Sequence, residues 1–233
     1  MEAGSATGLL VHRVRSVGWI VFDRPAALNA MDAAMMMALP QAWRQHDADA
    51  QVGAIVVTGT GEAFQSGLDM AQLSRDRVAL REMSRRTREF DLQLTGWQVG
   101  VRKPVIVAVN GVCAGAGLHF VADADVVIAS TTATFVDPHV SVGLVSALEP
   151  IGLMKKGVSV ADVMRMALVG EHERMSATRA RQLGMVSELV EPAQLRAAAQ
   201  SLGEQIAMHD KSALDQLKTG MWQVVEGGEP ANG

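Results

Sequence analysis

Two segments of this chain carry the materials for a site made from backbone groups. In each, a short β-rich run ends in glycines and leads toward a helix. Ser66-Gly67-Leu68-Asp69 follows residues 54–58 (AIVVT), and Gly115-Ala116-Gly117 follows residues 105–109 (VIVAV). Such a turn exposes N–H groups that neither the strand behind nor the helix ahead satisfies, at the positive end of the helix. Two of them converging on one point would form an oxyanion hole, which stabilises charge developing on a carbonyl oxygen. Glycine-rich turns also serve purely structural ends. Gly115-x-Gly117-x-x-Phe120 lacks the third glycine of a dinucleotide-binding loop. Gly59-Thr60-Gly61-Glu62-Ala63-Phe64 lacks the Lys and Ser/Thr of a phosphate-binding P-loop. Arg77, Arg81, Arg85 and Arg88 fall on one helical face. They read as a solvated face relieved by Asp76, Glu82 and Glu89, with phosphate binding as the alternative.

These turns need elements to hold them. Residues 9–14 and 17–22 predict a hairpin, stopped at Asp23-Arg24-Pro25. Residues 30–46 predict a helix capped by Asp32, which Pro40 must kink or split. Residues 54–58, 105–109, 126–129 and 134–136 predict strands, and residues 110–117 a glycine-rich turn. Beyond Ser146 the pattern is helical, over residues 161–168, 176–183, 192–209 and 212–226, with Gly170 and Gly184 as stops. Strands alternating with helices and turns imply an α/β fold followed by a helical C-terminal part.

Composition narrows the function. The 233 residues are 48% hydrophobic and carry a formal net charge of −4, enough for a real core and the wrong balance for nucleic acid. The single cysteine, Cys113, excludes an internal disulfide and a cysteine-based zinc site, and predicts a reducing compartment. With no membrane-length apolar run and no leader pattern, a soluble cytoplasmic protein is expected, without membrane or metal partners.

Five segments, in order, resemble the enoyl-CoA hydratase/isomerase (crotonase) superfamily. They are FDRPAALNAMD (22–32), AIVVTGTGEAFQSGLDMAQL (54–73), KPVIVAVNGVCAGAGLHFVADADVVIAS (103–130), ATFVDPHVSVGLV (133–145) and MSATRARQLGMVSELVEP (175–192). The resemblance implies a crotonase-like spiral of ββα units, with residues 1–190 as the core. Residues 191–233 would be a C-terminal helical trimerisation region, shortened relative to the family. It further implies a homotrimer or a hexamer of paired trimers. The substrate would be an acyl-CoA thioester, with CoA entering as part of the substrate and no separate cofactor. The enolate oxygen would rest on the N–H groups of Leu68 and Ala116, although the Ala116 methyl crowds a turn where the family often has Gly. Ala26, Ala27 and Leu28 would run near pantetheine and pyrophosphate, and Ser66, Asp69 and Met70 near the adenine. Lys218 is a weaker candidate for CoA contact.

The chain departs from the family where chemistry is decided. Family hydratases place two glutamates around the attacking water, and here those positions hold His119 and His139. Histidine is the side chain best suited to proton transfer near neutral pH. His119, in the first turn of a helix, would be disfavoured as imidazolium by the positive helix end. Asp137 lies two residues before His139 and could orient it. Glu149 is the one carboxylate in residues 140–157, either a replacement catalytic carboxylate or a helix-start charge. Three functions fit these residues: an enzyme of hydratase/isomerase type, a crotonase-fold C–C hydrolase cleaving β-diketones by a retro-Claisen route, and a non-catalytic acyl-CoA-binding relative.

Overall fold

The computed structural model describes residues 6–75, 78, 93–146 and 148–227. The arginine face at 77, 81, 85 and 88 lies outside the described residues. The order begins β1 (Leu9–Val14), β2 (Val17–Phe22), α1 (Ala33–Ala48), β3 (Ala54–Gly59), β4 (Ala63–Gln65), α2 (Met70–Leu73), α3 (Gly96–Val99). It continues β5 (Val105–Val109), β6 (Val112–Ala114), α4 (Gly117–Asp123), β7 (Val126–Ser130), β8 (Thr134–Val136) and α5 (Leu148–Lys155). It closes with α6 (Val160–Val169), β9 (Met175–Ser176), α7 (Ala177–Gln182), β10 (Glu188–Val190), α8 (Leu195–Ala207) and α9 (Lys211–Val225).

Two sheets share the strands. One runs β1-β2-β3-β5-β7-β10, parallel except for the β1–β2 hairpin. The other runs β4-β6-β8-β9. The chain lays one strand in the first sheet and the next in the second, three times over: β3 then β4, β5 then β6, β7 then β8. Repetition of that step makes the spiral. The glycine-rich run 110–117, read as a turn, holds β6, because three residues suffice to pair with both β4 and β8. The sharp corner between β5 and β6 needs Gly111, since a Cβ there would lie 1.9 Å from the Glu62 carbonyl oxygen.

Side chains of the first sheet alternate between two cores. Ile20, Phe22, Ile55 and Val57 enter the larger core with α1, whereas Trp19, Val21 and Val56 meet Leu195 and Ala199 of α8. Asp32 caps α1 as expected, accepting from the Met35 N–H at 2.8 Å. Pro40 does not split that helix, which runs unbroken over 16 residues. Its buried ring packs against the core, and the surrounding packing outweighs one absent backbone bond. No helix among the described residues is long and apolar enough to cross a membrane.

Three phenylalanines lock the sheets to the helix that carries the site. Phe22 of the first sheet, Phe64 of the second and Phe120 of α4 meet edge to face, with centroids 5.0–6.1 Å apart. Phe120→Ala should lower stability by about 3–5 kcal/mol, read as a lower urea midpoint at unchanged slope.

Candidate active site

The two glycine-rich turns meet backbone to backbone. Gly67 has φ +102° and Gly115 φ +51°, conformations that side chains rarely adopt. A Cβ on Gly115 would lie 3.8 Å from the Gly67 Cα. Gln65 fixes the first turn from beneath: its Oε1 accepts from the Gly67 N–H at 2.7 Å, and its Nε2 donates to the Gly67 carbonyl at 2.8 Å. Sequence reasoning missed this buried glutamine; its signal was a polar residue closing an apolar strand. A parallel bridge to Met31 uses the Gly67 carbonyl and the Asp69 N–H. Alternation along an extended chain therefore aims the intervening Leu68 N–H away from Met31. Ala116 precedes α4 with φ −57°, ordinary for an L-residue. Gly115, and not Ala116, takes the left-handed position in this turn. Among the described residues, neither the Leu68 N–H nor the Ala116 N–H has a hydrogen-bond partner.

Beside these turns lies a buried chain of ionisable groups. His119, in the first turn of α4, is 5% exposed. Its Nε2 lies 3.2 Å from Glu149 Oε1, and the same oxygen lies 3.9 Å from His139 Nε2. Glu149 Oε2 accepts from Ser146 Oγ at 3.1 Å. His139 starts a short 3₁₀ turn after Pro138, and its Nδ1 is 2.5 Å from Asp137 Oδ1. A carboxylate only accepts, so Nδ1 carries the proton and Nε2 is turned toward Glu149. The other oxygen of Asp137 is buried and, among the described residues, has no partner. The expectation for His119 considered only the helix end; the structure adds a carboxylate from α5 in direct contact. Glu149, rather than merely marking a helix start, joins both histidines.

Charge follows from these contacts. Burial alone would raise the Glu149 carboxyl, but the His119 hydrogen bond and charge, a backbone N–H and the His139 charge outweigh it and hold the group down to about 2. The hydrogen bond to Asp137 raises His139 above the ordinary 6.5; burial opposes this, while the charges of Glu149 and Asp137 add to it. Cys113 is fully buried and burial pushes its thiol up, so it is not a nucleophile.

The CoA candidates form a separate edge. Ala26 and Ala27 lie in a 3₁₀ turn that ends on Leu28, with φ +50°. The Met31–Leu68 bridge brings this turn beside Ser66, Asp69 and Met70, and Leu28 and Met70 are both 45% exposed. Asp69 has structural duties as well: it caps α2 and pairs with Arg24 at 3.0 Å. Lys218 is corrected. It is buried, and its Nζ bonds Asp125 at 2.9 Å and the Lys103 carbonyl at 2.8 Å, tying α9 to the sheet. A cavity of about 230 Å³ opens at His119 and runs between α4, α5 and the end of α9.

Comparison with known proteins agrees with this architecture. Residues 12–231 match the enoyl-CoA hydratase/isomerase family. A probable enoyl-CoA hydratase of Rhizobium meliloti (strain 1021) is 35% identical over 201 residues, 85% of this chain and 75% of that protein. The (E)-benzylidenesuccinyl-CoA hydratase of Thauera aromatica is 32% identical over 193 residues, 82% of this chain and 73% of that protein. A crystal structure of an enoyl-CoA hydratase/isomerase from Mycobacterium paratuberculosis superposes with TM-score 0.82 at 34% identity, covering 94% of this chain and 82% of that one. Fold and sequence together define an enzyme of the crotonase superfamily. The chain belongs to the enoyl-CoA hydratase/isomerase family.

The ion-paired cluster makes stability depend on pH in two directions. Glu149 is depressed from 4.5, so its contribution is complete above pH 4.5 and is lost as pH falls toward 2. His139 is raised from 6.5, so its contribution is complete below pH 6.5 and is lost as pH rises through the raised value. Thermal midpoints against pH should show both arms, with the acid arm flattened in Glu149→Gln and the alkaline arm in His139→Gln.

Proposed function

We propose that the protein adds water to an enoyl-CoA thioester, with the thioester oxygen held by the N–H groups of Leu68 and Ala116. His119 and His139 then replace the usual glutamate pair. The observation that carries this reading is the placement of two unpartnered N–H groups on abutting turns beside two histidines that share one carboxylate. The donors stabilise negative charge on the thioester oxygen as the substrate becomes an enolate. The water oxygen bonds the β-carbon as one of its protons passes to one neutral imidazole; the other, entering the step as imidazolium, gives its proton to the α-carbon. Glu149 offsets the positive charge that each imidazole acquires in turn. CoA enters as part of the substrate, over the edge formed by residues 26–28 and 66–70.

A second reading is favoured by one contact. Asp137 on His139 Nδ1 sets the imidazole as a base whose Nε2 can take a proton from water. Attack of that water on a β-diketone carbonyl would break the adjacent C–C bond, and the same N–H pair would hold the departing enolate. A non-catalytic acyl-CoA-binding relative would leave the buried carboxylate between two histidines without a task.

The reading extends to a cytoplasmic homotrimer or a pair of trimers, with residues 191–233 at the subunit contact. The exposed Leu217, Met221 and Val224 of α9 support that role.

Mass spectrometry of a panel of 2-enoyl-CoA thioesters tests the chemistry. Gain of one water is expected, reduced about 10²–10⁴-fold in His119→Ala. No gain on any enoyl-CoA, with cleavage of a β-diketone that needs no CoA, would replace hydration by the C–C hydrolase. Binding without turnover on either panel, unchanged in His119→Ala, would leave a ligand-holding protein.

A further inference from the structure

The cavity beside His119 has a chemistry of its own. Leu148 and Ile151 of α5 and the indoles of Trp97 and Trp222 give it apolar walls, with Gln98, Lys155 and Glu226 also at its lining. The indoles stack with centroids 4.8 Å apart, so the last turns of α9 cover the space in this chain. Both indole N–H groups are engaged elsewhere, Trp97 with Glu226 at 2.9 Å and Trp222 with Asp125 at 2.6 Å. The rings therefore offer the cavity only carbon surface.

Like Lys155, Asp123 lines the same cavity. It lies four residues after His119 on α4, so the two side chains stand on one helical face about 5–6 Å apart at Cβ. One of its oxygens, Oδ2, is fully used, accepting from Thr95 Oγ1 at 2.6 Å and from Gln98 Nε2 at 3.2 Å. Gln98 is itself fixed by the Leu94 N–H on its Oε1 at 2.9 Å. Among the described residues, no donor reaches Oδ1. Nor is Oδ1 a sealed atom, since the one buried and unpartnered side-chain oxygen among the described residues belongs to Asp137. With Oδ2 held by two donors, the carboxylate is fixed in place and its accessible Oδ1 is left to accept from whatever enters the cavity. Burial raises the Asp123 carboxyl, opposed by the Thr95 hydrogen bond and the charges of His119, Lys156 and Lys155.

We infer that Asp123 selects an acyl group bearing a hydroxyl a few bonds beyond the reacting carbons, the hydroxyl donating to Oδ1 while the intervening chain lies between the indoles and α5. This rests on the acyl-CoA reading and narrows it to hydroxylated acyl chains. A site built to bond a substrate hydroxyl discriminates strongly against the analogue that lacks it, because its polar atom is then left unpaired.

Saturated thioesters test this without turnover. Calorimetric titration of the full chain would compare each acyl-CoA from butanoyl to octanoyl with its ω-hydroxy counterpart. At the best-fitting length, near hexanoyl, the hydroxylated ligand should bind about tenfold tighter, a difference of about 1.4 kcal/mol. Asp123→Leu should abolish that preference while still binding the plain thioester; Asp123→Asn, which keeps the side-chain shape, should reduce it. Equal affinity for both ligands at every length in the wild type would overturn the inference and leave the acyl-CoA reading intact. Binding of neither ligand would overturn both. A preference that survives both substitutions would assign the hydroxyl to another group and refute the role of Asp123.

Discussion

The site depends on one close approach between two pieces of backbone. A Cβ added to either Gly67 or Gly115 would already touch the other turn, and each takes a φ that costs most residues energy. That approach is fixed from several sides. Gln65 ties both backbone groups of Gly67, Met31 bridges across Leu68, and the three-phenylalanine contact holds α4 against both sheets. Donors that are already aimed need no reorganisation when charge develops, which is where a backbone oxyanion site gains its strength.

The ionisable groups beside these turns are held by a different logic. His119 comes from the first turn of α4, His139 from a 3₁₀ turn after β8, and Glu149 from the start of α5. A carboxylate buried alone would be expensive; placed between two imidazoles it is hydrogen-bonded and compensated. Removing any one of the three leaves the others with an unbalanced charge, so they behave as a unit.

The helical end of the chain bears on both stability and specificity. Lys218 and Trp222 of α9 both bond Asp125, which anchors the helix to the start of β7. The same anchoring sets the Trp222 indole over the cavity that opens at His119. A residue taken for a ligand contact is thus a tether, and its neighbour one turn later is the wall.

Much of the frame was legible in the sequence. Hairpin, parallel strands and C-terminal helices follow from alternation, β-branched runs, an Asp cap and glycine stops, all of which act over short spans. Three-residue strands such as β4 and β6 were not legible, because pairing across the second sheet, rather than local preference, makes them strands. The family motifs pointed to Leu68, Ala116, His119 and His139 as candidates, since such positions sit on turns with fixed residue types. Whether Glu149 was a helix charge or a site carboxylate could not be read from residues 140–157. Only the packing of α5 against α4 brings its Oε1 to 3.2 Å from His119. The sequence by itself determined which residues could do the chemistry, through turn-forming glycines and titratable side chains. The tertiary structure decided which of them meet, because contacts between distant elements depend on the summed packing of the core and not on any local pattern.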